Sequence, residues 1–110
     1  MDMDDFQKGA LRTARFPAGQ TGTYYCALGL AGEAGEVANK VKKLIRDHNG
    51  QAPTIGQAAA LADELGDTLW YVAALAHQLG FTLSGIGSRG LDKLADRDRR
   101  GAISGEGDNR

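Results

Sequence analysis

Glu33 with Glu36, and Glu64 with Asp67, form two acidic pairs at helical spacing inside stretches that carry little other charge. Residues three apart share a helix face, where like charges repel by about 0.2–0.5 kcal/mol. Two such pairs on facing helices gather four anions around one point, which a bound cation makes tolerable. Oxygen ligands of this kind select a hard divalent ion, magnesium first and manganese second. The chain must then fold so that two rigid helices face each other at the height of these residues.

The rest of the pattern agrees with helices. Asp4 to Phe16 reads as a first helix, with Phe6, Ala10, Leu11 and Ala14 on its apolar side, ended by Pro17 and Gly19. A second is expected from Thr21 or Thr23, either of which suits a cap, to about Asp47. Its buried side reads as Tyr24, Ala27, Leu28, Ala31, Ala34, Ala38, Val41 and Ile45. Gly29, Gly32 and Gly35 suggest an edge that another backbone or a ligand approaches closely. Thr54 and Gln57 form a capping box for a third helix that Gly80 stops, with Leu61, Leu65, Leu69, Val72, Leu75, Ala76 and Leu79 inward. Thr82 or Ser84 caps a fourth, on which Leu83, Ile86, Leu91 and Leu94 face the core. No strand-like alternation occurs, so an all-α, four-helix bundle follows, with a domain at 1–101. Residues 102–110 make a glycine-rich, charged tail expected to be flexible.

The short turn between the second and third helices makes them antiparallel neighbours. From its centre near Gln51, Glu36 lies about 15 residues back and Glu64 about 13 forward. At about 1.5 Å per residue the two heights agree to about one turn, with Glu33 and Asp67 as the outer couple. Asp63 falls on another side of its helix and is expected in solvent or behind the ligands. Lys40 and Lys43 follow Glu36 on its own face, and Lys93 and Arg97 make a similar ladder beside Arg99 and Arg100. Acids that hold a metal, rimmed by such cations, suit phosphoryl chemistry. His48 and His77 are not spaced as Glu-x-x-His ligands, and no phosphate loop with its lysine is present.

Composition narrows the alternatives. The 110 residues suit one domain, small enough that an oligomer would help cover its apolar faces. Thirteen basic and fourteen acidic side chains give a net charge of -1, with no drive toward a nucleic acid polymer or a membrane. Cys26 is the single cysteine and reads as a small core residue. The acidic start at Met1–Phe6 does not resemble a secretory signal, and the uncharged run from Thr68 to Ser88 is interrupted by polar residues, so the cytoplasm is the expected compartment.

Gly29-Leu30-Ala31-Gly32-Glu33-Ala34-Gly35-Glu36-Val37, followed after Glu36 by 27 residues and then Glu64-Leu65-Gly66-Asp67-Thr68-Leu69-Trp70-Tyr71, resembles the MazG-like nucleotide pyrophosphohydrolases. The block from Lys93 through Arg97 and Arg100-Gly101 to the Gly-Asp-Asn-Arg ending is similar to the small stand-alone branch of bacteria and phages. The resemblance implies hydrolysis of a nucleoside triphosphate between the alpha and beta phosphates, giving a monophosphate and pyrophosphate. It implies that Glu33, Glu36, Glu64 and Asp67 hold magnesium, and that Glu36, ahead of Glu64, takes the proton from the attacking water. Lys40, Lys43, Lys93, Arg97 and Arg100 are then candidates for the phosphate chain, with Lys43 and Lys93 closest to the chemistry. Asp92 stands where family members often have asparagine, and either orients Lys93 or reaches the metal. The resemblance also implies a homodimer or homotetramer that shares its sites between subunits. Phe16, Tyr24, Tyr25, Trp70 and Tyr71 are candidates to stack on the base. Two other functions remain open: a non-catalytic nucleotide-binding oligomer, and a hydrolase of another diphosphate-containing nucleotide such as an alarmone.

Overall fold

A computed structural model of the chain describes all 110 residues as four helices without strands. They are α1 (Met3–Leu11), α2 (Gly19–His48), α3 (Ile55–Gln78) and α4 (Leu83–Arg99). None is long and apolar enough to cross a membrane.

Local chemistry sets most boundaries. Asp2 and Asp5 close a reciprocal capping box that starts α1, and Thr54 with Gln57 closes the expected one on α3. The first helix is shorter than the sequence suggested. Beyond Leu11 the Thr13 hydroxyl donates to the Ala10 carbonyl, and the chain turns away before Phe16. Neither Thr21 nor Thr23 caps α2, which begins at Gly19 after the N-cap residue Ala18 and has no side-chain cap. Gln78 instead reaches over from α3 to donate to the Gly19 carbonyl at 3.1 Å and the Thr23 hydroxyl at 3.4 Å. At the other end Asn49 (φ +55°) and Gly50 (φ +68°) reverse the chain, and Gly50 N–H donates to the Leu44 carbonyl. Gly80 (φ +83°) stops α3, as its position predicts. Thr82 is the cap of α4; Ser84 gives its N–H and hydroxyl to the Asp4 carboxylate of α1.

The helices do not close into a bundle. α2 and α3 form an antiparallel hairpin, while α1 packs on α3 and α4 packs on α1 and α3. No Cα of α2 comes within 8 Å of α1 or α4 in a packed pair of elements. A small core of Ala10, Ala73 and Leu83, with Phe6, Trp70 and Val72 against it, joins α1, α3 and α4. Buried Gln7 is the polar rivet there: its amide donates to the Ala73 and Phe81 carbonyls and accepts from Leu83 N–H, each at 3.1 Å. These bonds fasten the start of α4 to α1 and, through Ala73, to α3, while α4 makes no packed contact with α2.

This arrangement reverses the expected inner face of α2. The residues turned toward α3 are Gly22, Cys26, Gly29, Glu33, Val37, Lys40 and Leu44, one helical stripe of buried or half-buried positions. Tyr24, Leu28, Val41 and Ile45 lie on the other side and are exposed, Leu28 by 74%. Leu65, Leu69 and Leu79 of α3, and Leu91 and Leu94 of α4, are exposed as well. With only nine buried residues, a single chain leaves most of its large apolar side chains uncovered. The radius of gyration, 16.7 Å, exceeds the about 13 Å of a compact domain this size.

The tail is folded rather than loose. Positive φ at Gly101, Gly105 and Gly107 lets residues 101–110 coil beside the end of α4. The Arg110 guanidinium donates to the Gly107 and Ile103 carbonyls, and Arg97 donates to the Asp108 carbonyl at 2.7 Å.

Candidate functional site

Glu33 of α2 and Glu64 and Asp67 of α3 converge across the hairpin, each offering a carboxylate oxygen within 4.8 Å of the others. Glu33 and Glu64 are half-buried and Asp67 is exposed. Glu36 is not part of this triplet. A step of three residues leaves it about 60° around the helix from Glu33, on the exposed rim, whereas Glu33 lies in the seam. It is still close enough to act on Glu33 through its charge. Asp63 is exposed, as its helical position implied.

The three carboxylates act on one another through their charges. Partial burial, then the charges of Asp67, Glu64 and Glu36, push the Glu33 carboxyl above the usual glutamate range. Three converging carboxylates with no sulfur or imidazole beside them fit a hard divalent ion such as magnesium or manganese. The one ion pair made by the four acids is between Lys40 Nζ and Glu64 Oε1, at 3.7 Å.

A group whose pKa rises on folding binds its proton more tightly in the folded chain. Glu33 therefore destabilises the fold as pH climbs from the ordinary glutamate value, about 4.3, through the raised one, and continues to do so at neutral pH. Glu33→Gln is expected to raise the melting temperature in chelator at pH 7, by a margin that shrinks as the pH falls through the raised value. The same variant should lose most of the thermal stabilisation that added magnesium gives the parent protein. Paired thermal melts with chelator and with magnesium measure both, and a lower melting temperature in chelator would contradict the repulsion.

An open cleft of about 360 Å³ adjoins the acids, lined by Thr13, Glu33, Asp67, Trp70 and Tyr71. Its aromatic wall is braced. Tyr71 meets Trp70 edge-on at 5.0 Å and Tyr25 at 6.5 Å, and Phe16 stacks on Tyr25 at 5.7 Å. Trp70 Nε1–H donates to the Thr13 hydroxyl at 3.0 Å. Four of the five aromatic candidates thus cluster; Tyr24 points away, bonded to Gln20. Gly29 is what lets Tyr71 in, because a Cβ there would overlap the ring. Gly32 and Gly35 meet nothing within 4 Å, so only one of the three spaced glycines serves a close approach within the chain. Thr13 also lines the cleft, and no motif or spacing singled it out. Cys26 is fully buried, and desolvation raises its thiol, in keeping with a core role.

The basic candidates divide into two groups. Lys40 and Lys43 lie along α2, where they line a pocket toward the hairpin turn with Leu44, His48 and Leu61. The α4 group does not rim the acids of its own chain, because Gln7 and Leu83 tie α4 to α1 and no packed contact joins it to α2. Asp92 and Lys93 border a shallow hollow on α4 with Ile86 and Arg89. Arg97 is buried under the tail, and Arg100 bonds to Asp96 at 2.9 Å and to the Arg110 main-chain oxygen at 2.5 Å. Lys93 also approaches Asp108, at 3.9 Å.

Residues 22–101 match the family model of the MazG nucleotide pyrophosphohydrolase domain. The chain is 49% identical over its whole length, and over the whole of the relative, to the "Gene 37 protein" of Mycobacterium phage L5. No solved structure matches it. The matched span contains the acid triplet, Glu36 and both groups of cations, and the chain belongs to the MazG nucleotide pyrophosphohydrolase family.

Proposed function

We propose that the protein hydrolyses a nucleoside or deoxynucleoside triphosphate between the alpha and beta phosphates. The convergence of Glu33, Glu64 and Asp67 beside an aromatic cleft, in a chain of this family, carries the reading. These three carboxylates, joined by Glu36 from the rim, would hold magnesium or manganese. A bound divalent ion supplies charge neutralisation on the phosphates and acidifies water.

The chain's own residues do the rest. Trp70 and Tyr71, held by Phe16 and Tyr25, offer the base two ring faces set at 78° to each other. Glu36, exposed beside half-buried Glu33, accepts a proton from the attacking water. The water oxygen bonds to the alpha phosphorus, the bond from that phosphorus to the bridging oxygen breaks, and pyrophosphate leaves. Lys40 and Lys43 face the departing phosphates from α2. In this reading Lys93 and Arg100 come from a second copy, since no packed contact joins their α4 to α2, and Arg97 supports them from beneath the tail through the Asp108 carbonyl. Asp92 orients Lys93. The exposed faces of α2, α3 and α4 supply the apolar surface that a homodimer or homotetramer would bury.

Incubation with magnesium and a nucleotide panel, with products resolved chromatographically, tests the bond assignment. Monophosphate and pyrophosphate are expected. Diphosphate and phosphate would overturn the assignment. Binding without turnover would favour a non-catalytic oligomer, and turnover confined to alarmones would move the substrate class.

A further inference from the structure

Lys40 stands where two features meet. Its ammonium lies 3.7 Å from Glu64 in the acid cluster, with 39% of the side chain still exposed. Lys40 also lines a pocket of about 190 Å³ together with Lys43, Leu44, His48, Gln57, Ala60 and Leu61. A lysine and a divalent ion compete for the same carboxylate, and they repel each other. An ammonium held on Glu64 is likewise withheld from phosphate.

We propose that Lys40 is a metal-released latch. It neutralises Glu64 until a divalent cation enters, then swings on its four-carbon stem to the pocket rim beside Lys43, where it meets the beta and gamma phosphates. The proposal rests on the metal site described under Proposed function. It makes Lys40 a residue with two opposed effects: it weakens binding of the metal alone and strengthens binding of the metal-bound nucleotide. Metal and nucleotide then assist each other through the same side chain, a coupling that must be reciprocal. It also gives the substrate a direction along the hairpin, with the base toward Trp70 and Tyr71 and the terminal phosphates toward the α2–α3 turn.

The test titrates manganese, without nucleotide, into the parent protein, Lys40→Met and Lys42→Met, following free manganese by electron paramagnetic resonance. Methionine keeps most of the stem, and exposed Lys42 controls for loss of one positive charge from the same helix. Lys40→Met is expected to bind manganese about three- to tenfold more tightly than the parent. Lys42→Met should move the affinity by less than about twofold. In steady-state assays Lys40→Met should lose about tenfold in kcat/KM, mostly through KM. Manganese affinity in Lys40→Met that is unchanged, weaker or matched by Lys42→Met would overturn the latch. A parent protein that binds no manganese would sink the metal site itself, which separates that failure from this one.

Discussion

Glu64→Gln is expected to lower turnover by about a thousandfold or more while leaving the helical content and melting profile close to those of the parent. Glu64 is a half-buried member of the converging triplet, and it alone of the four acids also pairs with a cation. Glutamine preserves its size and one oxygen but removes the charge on which a divalent ion depends. Loss of one of a few metal ligands acts on the whole constellation rather than on a single contact, so the effect should be steep. Glu36→Gln should be comparably inactive if its carboxylate takes the proton, and should retain more metal affinity than Glu64→Gln, because Glu36 lies outside the triplet. Pyrophosphate release, manganese binding and circular dichroism together measure these effects. Turnover preserved in both variants would sink the proposed site.

The largest effect on stability is expected at Gly22, not among the acids. Gly22 is buried, and a Cβ there would collide with the Pro17 carbonyl oxygen while meeting the Gln78 amide at 2.9 Å and the Phe16 ring at 3.1 Å. The first of these is backbone and cannot step aside by a rotamer change. Gly22→Ala must shift the 16–18 segment and the Gln78 bridge to Gly19, at a cost of about 3 kcal/mol and about 10 °C or more in melting temperature. Gly29→Ala should cost less, about 1–2 kcal/mol, because the Tyr71 ring can tilt and alanine favours the helix. Gly32→Ala and Gly35→Ala make the instructive contrast. Each meets open space within the chain, so each should stabilise an isolated chain by about 0.5–1 kcal/mol. A fall in melting temperature at either position would place another copy against that face. Thermal melts over a range of protein concentrations measure all four variants. A parent-like Gly22→Ala would contradict the packing at the start of α2.

How far the site could be read ahead of the structure depends on which residues carry the information. The acids sit in long helices joined by a short turn, so counting along α2 and α3 was enough to bring Glu33, Glu64 and Asp67 together. The count gives height along a helix but is a poor guide to rotation around it. That is why Glu36, at the right height, stands outside the triplet on the rim. The cap at Thr54 and the stop at Gly80 were legible, and the α4 cap was narrowed to Thr82 or Ser84, for a different reason: each is decided by hydrogen bonds within three to five residues. The end of α1 was not, because the Thr13 hydroxyl serves both the Ala10 carbonyl and Trp70, 57 residues away.

The sequence by itself determined the four helices, the hairpin that carries the acids and the family. Those follow from local hydrogen bonding, helical periodicity and motif spacing. Only the tertiary structure decided which side of α2 turns inward, where α4 goes and what the tail does. Both sides of α2 carry apolar residues, so periodicity favoured the Tyr24–Ile45 side. Packing chose the other because Gly22, Cys26 and Gly29 let α3 and the Tyr71 ring approach closely. Buried Gln7, by bonding to three main-chain groups distant in sequence, fixes the start of α4 against α1 and α3, and α4 makes no packed contact with α2. The glycines that read as looseness in the tail are what permit its left-handed turns, closed by Arg110.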